Sequence, residues 1–338
     1  MVLAATSQAS APGPAFTEAA ASLKAALRDE LDATNEVIIE HLGSSVPLIP
    51  QVARHLIGAG GKRLRPLLTL AAAQIAGAGG EAARHLAAAV ELIHAATLLH
   101  DDVVDDSELR RGFKTANVVF GNKESVLVGD FLFARSFELM VKTGQLPVLE
   151  LLSRASCTIS EGEVLQLATQ GNIETTEAMH LDVIRAKTAM LFEAAARAGA
   201  SALGPIDAAD ALGSYAENFG IAYQLVDDAL DYGYGSTGIG KTVGDDFRER
   251  KMTMPVILAY QAARDEEEKA FWRDAFEGKS SDLERAQALM QRDDIGPAAL
   301  RHAQGYANKA VDALSGLPDH PLKTILVNLA AASAERPF

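Results

Sequence analysis

Only one cysteine, Cys157, occurs in the 338 residues. That excludes an internal disulfide and a thiolate metal cluster, and it fits a reducing, cytoplasmic setting. Basic residues are outnumbered, 31 Lys and Arg against 45 Asp and Glu, for a net charge of −14. This balance argues against a nucleic-acid partner, because such binding is driven by cations that neutralise phosphates. No apolar run reaches the roughly 20 residues needed to span a bilayer, so membrane contact is expected to be peripheral at most. No basic residue precedes Lys24, and without a positive leading segment no secretory signal is read. Residues 1–16, rich in Ala, Ser and Pro, are expected to form a disordered arm. Strand-and-turn series are also lacking, as is any fixed-period repeat.

What remains is helical. Ala and Leu dominate, and apolar positions recur at helical spacing. Helices are predicted over 17–42, 47–58, 66–77, 81–105, 123–142, 147–170, 176–199, 207–232, 254–277, 281–291, 294–314 and 319–335, punctuated by Gly43, Pro47, Gly60-Gly61, Gly79-Gly80, Gly121, Gly171 and the stretch from Gly233 to Gly244. At 48% hydrophobic and 22% charged residues, helices so rich in alanine must be buried on several sides. The expected fold class is all-α, a single domain over 17–338 with on the order of ten or more helices around a central helix or two.

Two acidic constellations stand out. The first, H-D-D-V-V-D-D-S-E-L-R-R-G, runs from His100 to Gly112. Asp101 and Asp105 are four apart and Asp102 lies three from Asp105, so all three reach the same end of one helix. Acidic groups at a helix C-terminus are opposed by the macrodipole and repel one another, so a positive species is expected to bind there. The second, Y-Q-L-V-D-D-A-L-D-Y, repeats D-D-x-x-D as Asp227, Asp228 and Asp231, 126 residues further on. Oxygen-only ligands on two opposed helices suit a hard cation such as Mg²⁺, which keeps waters and bridges to substrate phosphates.

Matching cations are present. Gly60-Gly61-Lys62-Arg63-Leu64-Arg65-Pro66 puts basic side chains in a glycine loop before a helix, where a phosphate would meet free N–H groups and the positive dipole end. Arg110 and Arg111 follow the first cluster, with guanidinium forks suited either to phosphate or to compensating the aspartates. His94 lies two turns before Asp101, and Lys187-Thr188, Lys241 and Lys251 complete the set. The run from Gly235 to Thr242 matches a nucleotide-binding P-loop, G-x-x-x-x-G-K-[ST]. That motif works only between a buried strand and the helix it opens, and no strand precedes it here. Its glycines are expected instead to make a mobile flap that brings Lys241 over a bound anion.

Taken together, G-G-K-R-L-R-P, the His100–Gly112 segment with its preceding E-L-I-H-A-A-T-L-L, A-K-T, Y-Q-L-V-D-D-A-L-D-Y and G-K-T-V-G-D-D-F-R-E-R-K-M-T-M-P resemble the trans-polyprenyl diphosphate synthases, in order from about residue 60 to 260. The resemblance implies an isoprenoid synthase-like helical bundle around a central cavity, acting as a homodimer. It implies a Mg²⁺-dependent prenyltransferase that condenses isopentenyl diphosphate head to tail onto an allylic diphosphate. Carried over, Asp101, Asp102, Asp105, Asp227 and Asp231 would hold Mg²⁺ ions, and Asp228, Lys187 and Lys241 join them in the catalytic set. Arg110, Lys187, Thr188, Gln224, Lys241 and Lys251 would contact the allylic diphosphate. Lys62, Arg65, His94 and Arg111, with Arg63, would bind isopentenyl diphosphate. Arg250 departs from the family pattern, which often has glycine there, and this bears on the conformation of the flap.

The resemblance also implies a mechanism. Metal ions and basic side chains neutralise the departing diphosphate, an allylic cation forms, the second substrate's alkene attacks, and a proton is lost to the released diphosphate. The growing tail should run from the aspartates back along the helix over 81–105. Ala96 and Thr97 lie about 6 to 7.5 Å up its axis from Asp101. In short-chain members bulky aromatics stand near there. Here both residues are small, and Ala89 and Val90 continue the slot. A long product is expected, roughly forty to fifty carbons, the range of quinone side chains in the family. A shorter-chain synthase, a terpene cyclase and a non-catalytic partner subunit are the alternatives. The cyclase is disfavoured by Lys62, Arg65 and His94, which imply a second diphosphate, and the partner subunit by retention of both acidic clusters.

Overall fold

A computed structural model describes residues 14–58, 60–201, 206–234 and 243–334. The elements in chain order are α1 (Pro14–Ala26), α2 (Arg28–His41), α3 (Leu48–Gly58), α4 (Leu64–Ile75), α5 (Glu81–Val104), a hairpin of β1 (Leu109–Arg110) and β2 (Phe113–Lys114), α6 (Ala116–Phe120), α7 (Asn122–Lys142), α8 (Leu146–Thr169) and α9 (Glu177–Ile184). A π-helical turn, Arg185–Ala189, leads directly into α10 (Met190–Ser201). Then come α11 (Ile206–Asp231), α12 (Asp245–Arg248), α13 (Met254–Gln261), α14 (Glu266–Phe276), α15 (Leu283–Arg292), α16 (Ile295–Ala313) and α17 (Pro321–Ala334).

The all-α expectation holds, with one addition: Leu109 pairs with Lys114 and Arg110 with Phe113 in a two-residue hairpin just after the first aspartates. Two predicted helices are each divided. The stretch over 17–42 bends at Leu27 (φ −115°, ψ 19°). The stretch over 254–277 stops after Gln261 and restarts at Glu266, where Asp265 accepts a hydrogen bond from the Glu268 N–H (2.9 Å) and three glutamates face the positive helix end. The first helix starts at Pro14 and buries Phe16 completely, so the described chain joins the core within the segment expected as a disordered arm; residues 1–13 of that arm lie outside the described residues. The glycine run from 235 and Lys241 lie outside them as well.

Helix α5 is buried all round through Ala87, Ala88, Ala89 and Val90, each 0% exposed, as expected of an alanine-rich helix with no polar face. Its early residues Ala83 and Ala87 pack with α1, α4, α10, α11 and α17, and its later ones with α2, α3, α7, α8 and α10. Antiparallel packing on α7 is marked by His100, whose Nε2 lies 3.2 Å from the Val126 carbonyl. Helices α5 and α11 both end on aspartates, and the core they share carries those ends to one side of the bundle. Among the described residues no helix is long and apolar enough to cross a membrane.

Candidate active site

The first acidic rim is the end of α5. Asp105 caps it, its N–H donating to the Asp101 carbonyl (2.8 Å). The Asp102 carbonyl accepts from the Ser107 N–H (3.0 Å) and from the Asn117 amide (3.1 Å), which also donates to the Ser107 carbonyl (3.2 Å) and so ties the helix end to the turn after it. Asp102 is 1% exposed, and one of its oxygens accepts from Arg110 Nε (2.9 Å) and Nη2 (2.8 Å). The structure thus pairs Asp102 with Arg110, the charge-compensating alternative for that arginine, while the other carboxylate oxygen of Asp102 is buried without a hydrogen-bond partner. Burial raises the Asp101 pKa against the attraction of Lys187.

The second rim is the end of α11. Asp228 is 3% exposed and accepts from Gln224 Nε2 (2.9 Å), with His180 Nε2 at 2.9 Å from its other oxygen. A carboxylate only accepts, so the Gln224 amide must turn its oxygen away, and that oxygen accepts from Thr188 Oγ1 (3.1 Å). Asp231 accepts from the Asp246 N–H (3.0 Å), and its carbonyl accepts from the Gly244 N–H (2.7 Å). It therefore anchors the segment that follows the glycine run. Burial, with Asp231 and Asp228 close by, pushes the Asp246 carboxyl well above the usual range.

Two lysines stand between the rims. Lys187 Nζ lies 2.5 Å from Glu163 Oε2 on α8, and its charge acts on Asp101. Lys251 Nζ lies 3.4 Å from Asp105 and also pairs with Glu249. Burial works against the Lys251 charge, but Asp105, Glu249 and Asp246 outweigh it and raise its pKa. A cavity of about 140 Å³ lies here, lined by Gln166, Thr175, His180, Lys187, Thr188, Gln224, Asp228, Asp246, Lys251 and Thr253 among others.

Lys187 and Thr188 both line this cavity and both lie in the π turn, where the helix is wound more widely. The neighbouring helices make room for it. A Cβ on Gly162 of α8 would fall 2.7 Å from Ala186 Cβ and from the Lys187 nitrogen, and one on Gly220 of α11 would fall 2.9 Å from Ala189 Cα.

A second cationic group gathers at the start of α4. Arg63 has a left-handed backbone (φ 53°) and forms an ion pair with Glu91. Arg65 Nη1 lies 3.2 Å from His94 Nε2. A guanidinium only donates, so that imidazole nitrogen accepts and His94 is neutral. Burial, together with Arg65 and its neighbouring arginines, pushes the His94 pKa well below its usual value, and burial brings Arg65 down to about 10. The Arg111 guanidinium lies against Gly61, where a Cβ would come within 2.9 Å of Nη1. Lys62 Nζ is 3.3 Å from the Tyr223 hydroxyl. Lys62, Arg65, His94 and Arg111 are thus brought together, while Arg63 is turned to Glu91.

Among the described residues no three Asp, Glu, His or Cys side chains form a ready-made metal cage. The donor set still fits a hard divalent cation: it is all oxygen, and Asp101, Glu163 and Asp246 carry raised pKa values because burial leaves their negative charge under-compensated. Glu163, His180, Asp246 and Glu91 were not singled out from the sequence. For Asp246 a signal existed, the paired aspartates of G-D-D-F-R. For the others the partner is 24 to 48 residues away, and no local pattern marks it.

A family model described as polyprenyl synthetase matches residues 46–292. The chain is 41% identical over 312 residues to an octaprenyl diphosphate synthase of Haemophilus influenzae, covering 91% of this chain and 94% of the relative. A crystal structure of a decaprenyl diphosphate synthase from Rhodobacter capsulatus superposes with a TM-score of 0.90 at 53% identity, covering 94% of this chain and 99% of that one. A polyprenyl synthase from Caulobacter crescentus CB15, complexed with calcium and isoprenyl diphosphate, superposes with a TM-score of 0.89 at 45% identity, covering 97% and 100%.

Proposed function

The chain belongs to the polyprenyl synthetase family, and on that footing we propose that it is a prenyltransferase making long-chain trans-polyprenyl diphosphates, by head-to-tail addition of isopentenyl diphosphate to an allylic diphosphate. The observation that carries this reading is the presence of two separate groups of cationic side chains, each suited to an anion. One lies between the acidic rims, around Lys187, Thr188 and Lys251; the other is Lys62, Arg65, His94 and Arg111. Two diphosphate substrates need two such sets, and a cyclase with one substrate does not.

Mg²⁺ would be held by Asp101 and Asp105 on one side and Asp227 on the other, and when bound it would supply positive charge to the leaving diphosphate. The remaining work falls to this chain's own side chains. Lys187 and Lys251, already poised over carboxylates, give their charge to the diphosphate oxygens as the allylic C–O bond breaks. Arg110 joins them, held in place by Asp102 rather than competing with it. Asp228 and Asp231 act behind the rim, one ordering Gln224 and Thr188 and the other the segment that carries Asp246. Lys241 is assigned to the same diphosphate from its sequence context. The neutral His94 and the buried Arg65 receive the diphosphate of the second substrate, whose alkene attacks the cation, and the proton then lost passes to the released diphosphate. The alanine-rich faces of α5 keep water from that cation.

Small residues at Ala96 and Thr97 support a product of roughly forty to fifty carbons along α5, suited to a quinone side chain. A homodimer in the cytoplasm completes the reading. Purified protein with Mg²⁺, farnesyl diphosphate and labelled isopentenyl diphosphate should give extended products of that length, and chelation should stop elongation. A cyclised hydrocarbon, or no product under any metal condition, would overturn the proposal.

A further inference from the structure

The second cationic group is drawn from two places in the chain, and helix α3 bears on both. Its last residue, Gly58, precedes the segment that carries Lys62 and Arg65. In its last turn, His55 Nε2 lies 2.7 Å from the Lys114 carbonyl, at the foot of the hairpin that carries Arg111. A carbonyl only accepts, so this nitrogen bears a hydrogen and donates it. The imidazole stands edge-on to the Phe120 ring, centroids 5.5 Å apart at 80°, which fixes its orientation.

The hairpin's turn decides where Arg111 goes. Arg110 pairs with Phe113, which leaves Arg111 (φ 54°) and Gly112 (φ 82°) as a two-residue loop. Positive φ at both central positions is the type I′ pattern, and its first position is usually Asn, Asp or Gly. An arginine there is strained and keeps that conformation only where its surroundings impose it. The Arg111 guanidinium then lies against Gly61.

Burial does little to fix this hairpin, since Leu109 and Phe113 are 57% and 58% exposed, and two strands alone are marginal in water. Polar ties do the work. Within the hairpin, the Thr115 N–H donates to the Glu108 carbonyl (3.0 Å) and its hydroxyl to that of Ser107 (2.6 Å). Asn117 joins the incoming end to α5 through the Ser107 and Asp102 carbonyls, and His55 joins the outgoing end to α3. Arg110 has its own tie to Asp102. Resting on the functional reading above, we infer that His55 is a positioning residue for the second substrate: by holding the Lys114 carbonyl it sets where the turn places the Arg111 guanidinium beside Gly61, and so the affinity for isopentenyl diphosphate but not for the allylic diphosphate.

The test is steady-state elongation by the full chain, varying each substrate in turn. His55→Phe keeps a ring against Phe120 and removes the donor, whereas His55→Gln gives up the ring and keeps a donor. KM for isopentenyl diphosphate should rise by about fivefold to tenfold in His55→Phe, with the allylic KM and kcat within about twofold. His55→Gln should stay within about twofold of the unaltered chain in all three. In an Arg111→Gln background, His55→Phe should add less than about twofold, because the contact it positions is already gone. His55→Leu takes the place of His55→Phe if the latter does not fold. A folded, active donor-free variant with an unchanged KM would overturn the inference. So would an equal rise in both KM values with a falling melting temperature, full additivity with Arg111→Gln, or failure of both donor-free variants to fold. Each of these leaves the synthase reading standing. An unaltered chain that elongates nothing would remove that reading, and this inference with it.

Discussion

The imidazole of His180 and the carboxylate of Asp228 meet at 2.9 Å with both side chains buried. Asp228 belongs to a D-D-x-x-D run, yet its oxygens are taken by His180 and Gln224, so it orders its neighbours from behind the rim. Replacing His180 by Leu removes a donor from a buried carboxylate, which should cost about 1–3 kcal/mol and loosen Gln224 and Thr188. Thermal melts should show the loss, and kinetics should show a higher KM for the allylic substrate. His180→Gln, which keeps a donor, should recover most of both.

Arg63 and Arg65 should separate cleanly. Arg63→Gln leaves Glu91, 8% exposed, without its ion-pair partner, and should destabilise the chain by about 3 kcal/mol with little change in KM. Arg65→Gln should do the reverse, raising KM for isopentenyl diphosphate by about tenfold or more through a lost charged contact. Melting temperatures and substrate titrations of both variants check the pair of outcomes.

Position 250 resolves the one departure from the family pattern. Arg250 holds a left-handed backbone (φ 55°), and its guanidinium lies against Gly278. Glycine adopts that conformation freely, whereas a β-branched residue resists it. Arg250→Gly should therefore stay within about 0.5 kcal/mol of the parent, and Arg250→Val should lose about 1–2 kcal/mol. Denaturant unfolding measures both.

Asp101, Glu163 and Asp246 have raised pKa values, with burial the leading cause in each. A carboxyl raised in the folded state contributes stability below its unfolded pKa, about 4, and that contribution is lost as pH rises through the folded value. Above that range the ionised groups burden the fold, and a bound divalent cation should offset the burden. Added Mg²⁺ should thus raise the melting temperature more near about pH 8 than near about pH 5, with chelator reversing the gain. Equal shifts at both pH values would count against a metal role for these carboxylates.

Ala96 is 1% exposed, and the neighbouring Thr97 turns its hydroxyl back to the His94 carbonyl (2.9 Å). A Phe at 96 should shorten the product, at a stability cost of about 1–3 kcal/mol from overpacking. Chromatography of the dephosphorylated products reads the first effect and thermal melts the second. An unchanged product length would remove Ala96 from the tail's path.

Much of this was legible in residue order. The long helices over 81–105 and 147–170 match α5 and α8 to within a residue, because their apolar spacing is unbroken and glycines stand before α5 and on both sides of α8. The two acidic runs pointed to opposed helix ends, and the cations of the Gly60–Pro66 segment pointed to a second anion site. What escaped was non-local or subtle. The break before Glu266 rests on one capping side chain, Asp265, amid residues that all tolerate helix. Glu163, His180 and Glu91 look like ordinary surface residues until folding sets each beside a partner, and only that folding shows Arg63 turned to Glu91 and Arg65 to His94.

The π turn at Arg185–Ala189 has a consequence for how tolerant the surrounding helices are. Regular winding sets adjacent side chains about 100° apart around the axis, and the π turn departs from it where Lys187 and Thr188 line the cavity. The break is accommodated next door, where Gly162 and Gly220 carry no side chain at the points of nearest approach. The two glycines thus flank the turn from separate helices, and a side chain added at either would press on its backbone.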